Sequence, residues 1–119
     1  MKKNIKIKRV YDKYSPQDGV RILIDRLWPR GIKKEEAKIN FWIKEIAPSD
    51  DLRKWFAHDL KKWAEFKKKY LDELNNKKDL CSEIVSKGKV NITLIYAAKD
   101  EEHNNAVVLK GYLNRSFVI

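Results

Sequence analysis

Little in this chain of 119 residues bends it sharply or cross-links it. It has three prolines, four glycines and one cysteine. A single cysteine, Cys81, excludes an internal disulfide and fits a reducing, cytoplasmic location. No apolar run reaches the length of a membrane span, and none follows the basic start MKKNIKIKRV. Neither a spanning helix nor a secretory signal is therefore expected. Solenoid repeats and Gly/Ser/Pro linkers are missing, and the length suits one domain, 1–119. No glycine-rich phosphate loop is present. The two histidines, His58 and His103, lack the spacing of metal ligands. The one metal reading left would join them with Asp25 and Asp59, and neither a metal nor a cofactor is expected.

Large core pieces are plentiful: four Trp, five Tyr and four Phe, with 43% of residues hydrophobic. That composition excludes a wholly disordered chain. Charge is one-sided, with 27 Lys and Arg against 17 Asp and Glu and a formal net charge of +10. Lysines run along the whole chain, which describes a solvated surface. The same excess would attract an anionic ligand or nucleic acid, so both readings stay open.

Periodicity places strands over Ile5–Val10, Val20–Asp25 and Val90–Tyr96. It predicts a helix over Lys34–Ala47, with Ile39, Trp42, Ile43 and Ile46 at helical spacing. Pro48 would end it, and Ser49 would cap the next helix, with Asp50 and Asp51 at its positive end. Asp59 would cap a longer helix, Leu60–Leu74, whose apolar stripe is Trp63, Phe66, Tyr70 and Leu74. Trp42, Trp55 and Trp63 therefore read as core rather than as surfaces for stacking bases. Asp79 would open a helix closed by Gly88 as its C-terminal cap. A last helix would start at Asp100, Glu101 and Glu102, and the tail RSFVI would pair as a further strand. This order predicts an α/β domain with a mostly parallel sheet flanked by helices.

In open α/β sheets, ligands bind beyond the carboxyl ends of strands. One predicted strand end carries Asp25, Arg26, Trp28 and Arg30; the other carries Lys99, Asp100, His103 and Asn104. Neighbouring strands would bring these groups into one pocket with acids, cations, an imidazole and an aromatic wall. The bland reading is that Asp25 pairs with an arginine, His103 caps or packs, and Trp28 is core. Acids at the start of the last helix would repel a phosphate there, leaving Arg26, Arg30 and Lys99 to hold any anion. Cys81, beside Leu80 and Ile84 with no basic partner nearby, reads as structural.

The blocks RVYD, DRLWPRG, WIKEIAPS, LRKWFAHD and LIYAAKDEEHNNAVVL run in order from Arg9 to Leu109. They closely resemble the YeaO-like group of the domain-of-unknown-function 488 family, over almost the whole chain. The resemblance implies an α/β domain with two charged strand ends as its signature. Asp25, Arg26, Pro29 and Arg30 match the first signature, and Lys99, Asp100, His103 and Asn104 the second. It implies no reaction. Some relatives carry a transcriptional-regulator label, for which this chain shows no motif. Asn40 stands where relatives have an acid, and Ala97 and Ala98 where distant relatives have cysteine, which argues against acid and thiol chemistry at those positions.

Three functions follow as expectations. The first is a pocket for a small polar or anionic ligand, with Arg26 and Arg30 on the anion and Trp28 excluding water or stacking on a ring. If the pocket is catalytic, His103 would transfer a proton, oriented by Asp25 or Asp100, with Lys99 and Asn104 binding. Pro29 would stiffen this wall and Gly31 give it backbone room. The second is a basic nucleic-acid-binding module. The third is an interaction protein that dimerises through exposed aromatics, the oligomeric state being left open. No membrane partner is expected.

Overall fold

The computed structural model describes residues 3–117. Four strands, β1 (Asn4–Arg9), β2 (Val20–Leu23), β3 (Phe41–Trp42) and β4 (Asn91–Tyr96), form one parallel sheet in the order β1-β4-β2-β3. The protein is α/β, as the alternation of patterns predicts. β2 and β4 are direct neighbours, with Val20 opposite Ile92 and Leu23 opposite Ile95. The two charged strand ends therefore emerge side by side.

The sheet buries both faces, unequally. Ile5, Ile22, Ile24, Ile92, Leu94 and Tyr96 face the main core. Residues of α2 (Asp50–Phe56), α3 (Trp63–Asn75), α4 (Lys78–Ser86) and α5 (Asn105–Ser116) complete that core. The other face carries a smaller cluster of Val10, Leu23, Ala37 and Ile95, partly covered by Trp28, Ile32 and Ile39. The central strands β2 and β4 thus lose simple polar alternation, as two-sided burial requires.

The predicted helix over 34–47 is not formed. Only a short α1 (Lys34–Ala37) precedes Lys38, which is left-handed at φ 50°, then β3 and a 3-10 turn, Lys44–Ile46. The cause is Arg21. Its Nη2 donates to the Ala37 carbonyl at 2.9 Å and its Nε to that of Lys38 at 3.0 Å. In a continuing helix those carbonyls would accept from Phe41 and Trp42. Asn40 then exchanges two bonds with Arg21: its N–H donates to the Arg21 carbonyl, and its Oδ1 accepts from the Arg21 N–H. Phe41 and Trp42 pair with Ile22 and Leu23 instead. Long-range hydrogen bonds override a helical apolar period here, and Trp42 ends up 40% exposed rather than in the core.

Three further expectations are corrected. The last helix starts at Asn105, capped by Asn104, and has no acid in its first turn. The Asp100 carboxylate instead accepts from the N–H groups of Glu102 and His103, a local turn that competes with helix. Gly88 does not cap α4 in a left-handed conformation; a Cβ there would lie 2.6 Å from Ile92 Cγ1. Close approach to β4 explains that glycine. Of the tail, Arg115 and Ser116 end α5 and Phe117 follows it, while Val118 and Ile119 lie outside the described residues. Other boundaries agree with the sequence to within a few residues. Ser49 caps α2 through the Leu52 N–H, and Asp59 caps a 3-10 turn, Leu60–Lys62, that runs into α3. Among the described residues no helix is long and apolar enough to cross a membrane.

Candidate functional site

Beyond the carboxyl ends of β2 and β4 lies a cavity of about 700 Å³. Asp25, Arg26, Trp28 and Arg30 line it from one strand end, and Lys99, Asp100, His103 and Asn104 from the other. The polar groups among them do different jobs, which their partners reveal.

Asp25 is largely buried and accepts from the Ala97 N–H at 2.9 Å and from Asn105 Nδ2 at 3.0 Å. Burial pushes its carboxyl above the ordinary value, against the opposing pull of those two bonds. No arginine pairs with it among the described residues. It latches the end of β2 to the end of β4 and the start of α5. Asp100 is the carboxylate beside His103, with Oδ2 3.0 Å from Nδ1. The Glu102 N–H bond, then His103, hold Asp100 below the usual carboxylate range. With Nδ1 engaged, the imidazole keeps Nε2 for other contacts. Its ring meets Trp63 edge-on at 5.2 Å.

The cations divide in the same way. The Arg26 guanidinium reaches the carbonyls of Pro48 at 3.2 Å and Ala47 at 3.4 Å, and its Nε lies 3.5 Å from Asp50. It braces the segment entering α2. That segment is held from α3 as well, by Tyr70 on the Ile46 carbonyl and Glu73 on Ser49. Arg30 and Lys99 are exposed, and their side chains have no hydrogen-bond or ion-pair partner among the described residues. Asn104 is buried and occupied as a cap: it accepts from Val107 N–H and donates to the Asp100 carbonyl.

The loop after β2 is rigid for reasons beyond Pro29. Trp28 Nε1 donates to the Ile32 carbonyl, Trp42 Nε1 to that of Asp25 and Tyr11 Oη to that of Arg30. Trp28 and Trp42 meet edge-on at 5.5 Å. Gly31 has open space around it, so room is not its role. Its φ of 74° is, because a side chain there would be strained. Asn40 is occupied by the Arg21 backbone and lies outside the cavity lining.

Sequence reasoning left out Arg53 and weighed His58 only as a metal ligand, yet both line this cavity with Phe56 and Phe66. They come from the end of α2, which strand-end logic does not reach. A signal exists in the residues Ala57 and His58, consecutive and left-handed at φ 46° and 58° without being glycine. That turn ends α2 and sets His58 beside Phe56, ring centres 6.0 Å apart. Among the described residues no three His, Cys, Asp or Glu side chains gather as a metal site. Ala97 and Ala98 line the cavity, and their carbonyls accept from Arg9. No Ser, Thr or Cys is among the lining residues.

Comparison with known proteins gives a consistent answer. The chain is 44% identical over 111 residues to the uncharacterized protein YeaO of Escherichia coli (strain K12), covering 92% of this chain and 96% of YeaO. It is 34% identical over 110 residues to the uncharacterized proteins Mb3100c of Mycobacterium bovis and Rv3073c of Mycobacterium tuberculosis, covering 92% of this chain and 93% of each. No solved structure matches. A family model, DUF488-N3i, described as the inactive DUF488-N3 subclade, matches residues 4–118, and the chain belongs to that family.

Proposed function

We propose that this protein is a cytosolic binder of a small polar or anionic molecule, held in the cleft beyond β2 and β4 without chemical turnover. One observation carries the reading: residues from five separate segments line a single cavity whose acids are engaged while Arg30 and Lys99 stay free. Free donors without matching acceptors favour an anion. Turnover is disfavoured by the lining. It offers no serine, threonine or cysteine nucleophile, the Tyr11 hydroxyl donates to the Arg30 carbonyl, Asp25 is tied to Ala97 and Asn105, and the family is described as inactive. The His103–Asp100 pair then serves as a hydrogen-bonding wall. Titration of the isotope-labelled protein against small anions tests this: shifts confined to Asp25, Trp28, Ala97 and His103 are expected, with the ligand recovered unchanged.

A second reading, a nucleic-acid-binding module, draws on the net charge of +10 and on Trp55, whose ring lies under Lys62 and Lys69, each 5.0 Å away. Steep salt dependence of binding to generic DNA or RNA would favour it, whereas saturable small-anion binding little affected by salt favours the cleft.

A further inference from the structure

We propose that the cleft takes a flat aromatic molecule bearing a phosphate monoester, of mononucleotide size. This rests on the small-ligand reading and adds the ligand's chemical class. Two parts of the lining carry it, and they come from different elements.

The apolar part is largely rings and prolines, alongside the aliphatic Leu27, Ala47, Ala97 and Ala98. Trp28 and Pro29 stand on the loop after β2, Pro48 before α2, Phe56 on α2 and Phe66 on α3. Phe56 and Phe66 are already stacked, with centres 4.3 Å apart and planes 24° apart. An aromatic ring gains more from flat neighbours such as these than a flexible alkyl chain does. A volume of about 700 Å³ lies within the range of small-molecule pockets.

The charged part is cationic. Arg30 and Lys99 have free side chains, and Arg53 has only the exposed Asp50, at 3.4 Å. The two lining carboxylates offer little to a cation: Asp25 accepts from Ala97 and Asn105, and Asp100 from Glu102 and His103. Three cations suit a phosphate monoester, which brings close to two charges and three acceptor oxygens. A carboxylate brings one charge and two oxygens. The free Nε2 of His103 adds a further polar contact for a hydroxyl or ring nitrogen of the ligand.

The experiment uses calorimetry and amide shift mapping on the full chain. The probes are the four 5′-ribonucleoside monophosphates, their nucleosides, ribose 5-phosphate, inorganic phosphate and dodecanoate. At least one mononucleotide is expected to bind about tenfold or more tightly than its nucleoside and than ribose 5-phosphate, shifting cleft residues. Arg30→Gln and Arg53→Gln, both at exposed positions, are each expected to weaken it about tenfold while leaving nucleoside binding unchanged. If dodecanoate, ribose 5-phosphate or phosphate shifts the same residues as strongly as every mononucleotide, the ligand class is overturned and the cleft reading stands. If a nucleoside matches its monophosphate, the phosphate is overturned. If no probe shifts any cleft residue, both the class and the cleft reading fall.

Discussion

Near the amino end of β2, Asp18 and Arg21 are both buried and meet each other directly. Lys8 donates to Asp18 at 3.1 Å, Thr93 Oγ1 donates to its carbonyl, and the rest of the Arg21 guanidinium takes the Ala37 and Lys38 carbonyls. At the carboxyl ends of β2 and β4 the same residue types are arranged differently. Asp25 and Asp100 are held by N–H donors, and Arg30 and Lys99 have no partner among the described residues. A closed network consumes its charges in fixing the fold, here by ending α1 and placing β3. An open one leaves charge available to a ligand. Burial opposes ionisation at both Asp18 and Asp25, but Lys8, the Ser15 N–H and Arg21 bring Asp18 below its ordinary value, while Asp25 stays above. Of these two acids, Asp18 is the one with cations against it among the described residues.

The largest effect should come from opening the closed end. Arg21→Met leaves Asp18 buried without its arginine and two carbonyls without donors. It should cost about 3–5 kcal/mol, the loss typical of breaking one side of a buried pair. Chemical denaturation measures this. Loss below about 1 kcal/mol would mean the network does not hold α1 and β3 in place. The pH dependence has a definite sign. With Asp18 depressed, its contribution is full above the ordinary carboxylate value and disappears as pH falls through the lower folded value. Wild type should therefore lose stability in acid more steeply than Asp18→Asn.

Asp25 should show the opposite sign and a smaller size. Its raised value makes its contribution greatest below the ordinary carboxylate range, and lost as pH rises through the folded value. Asp25→Ala strips Ala97 N–H and Asn105 of their acceptor and should cost about 1–3 kcal/mol. Asp25→Asn should cost less, because the new amide keeps the Ala97 bond while Asn105 turns over to accept. Stability curves at several pH values separate the two variants. Equal losses would show that Asp25 acts through its charge rather than as a latch.

How much of this difference is legible in the sequence depends on where the partners lie. Asp25, Trp28, His103 and Asn104 are visible because they follow two apolar strands closely, and strand ends are where α/β sheets gather ligands. The partners of Arg21 are not. Ala37 and Lys38 sit 16 and 17 residues away, and nothing in the pattern Ile39, Trp42, Ile43, Ile46 announces that an arginine will take their carbonyls. Arg53 and His58 are missed for the same reason: α2 reaches the cavity through packing that no local period encodes. The start of α5 is a local error, since Asp100 in front of Glu102 and His103 is as good a turn former as a helix opener.

Cys81 serves as a control away from both ends. It is fully buried on α4, and burial pushes its thiol up to about 11. Cys81→Ser should cost about 1–2 kcal/mol, for a hydroxyl placed in apolar surroundings, and leave ligand binding intact. Alkylation of the folded protein should be slow at pH 8 and speed up only on unfolding. Rapid stoichiometric labelling would contradict a structural thiol.

The smallest effect on stability, and the sharpest on function, should come from Arg30→Lys. The side chain is exposed and unpartnered among the described residues, so unfolding should shift by no more than about 0.5 kcal/mol. Charge is kept, but the planar fork becomes a single ammonium. If the open end grips an anion in a desolvated cleft, binding should weaken by about 1–3 kcal/mol. If the protein instead neutralises phosphates diffusely, the substitution should barely matter, because that binding follows charge count. Titrations of both proteins with small anions and with duplex DNA, at two salt concentrations, separate these outcomes. Unchanged small-anion binding in the variant would mean Arg30 is only solvated charge. No small-anion binding in either protein, beside steeply salt-dependent DNA binding, would remove the contrast between the two ends and favour the basic surface.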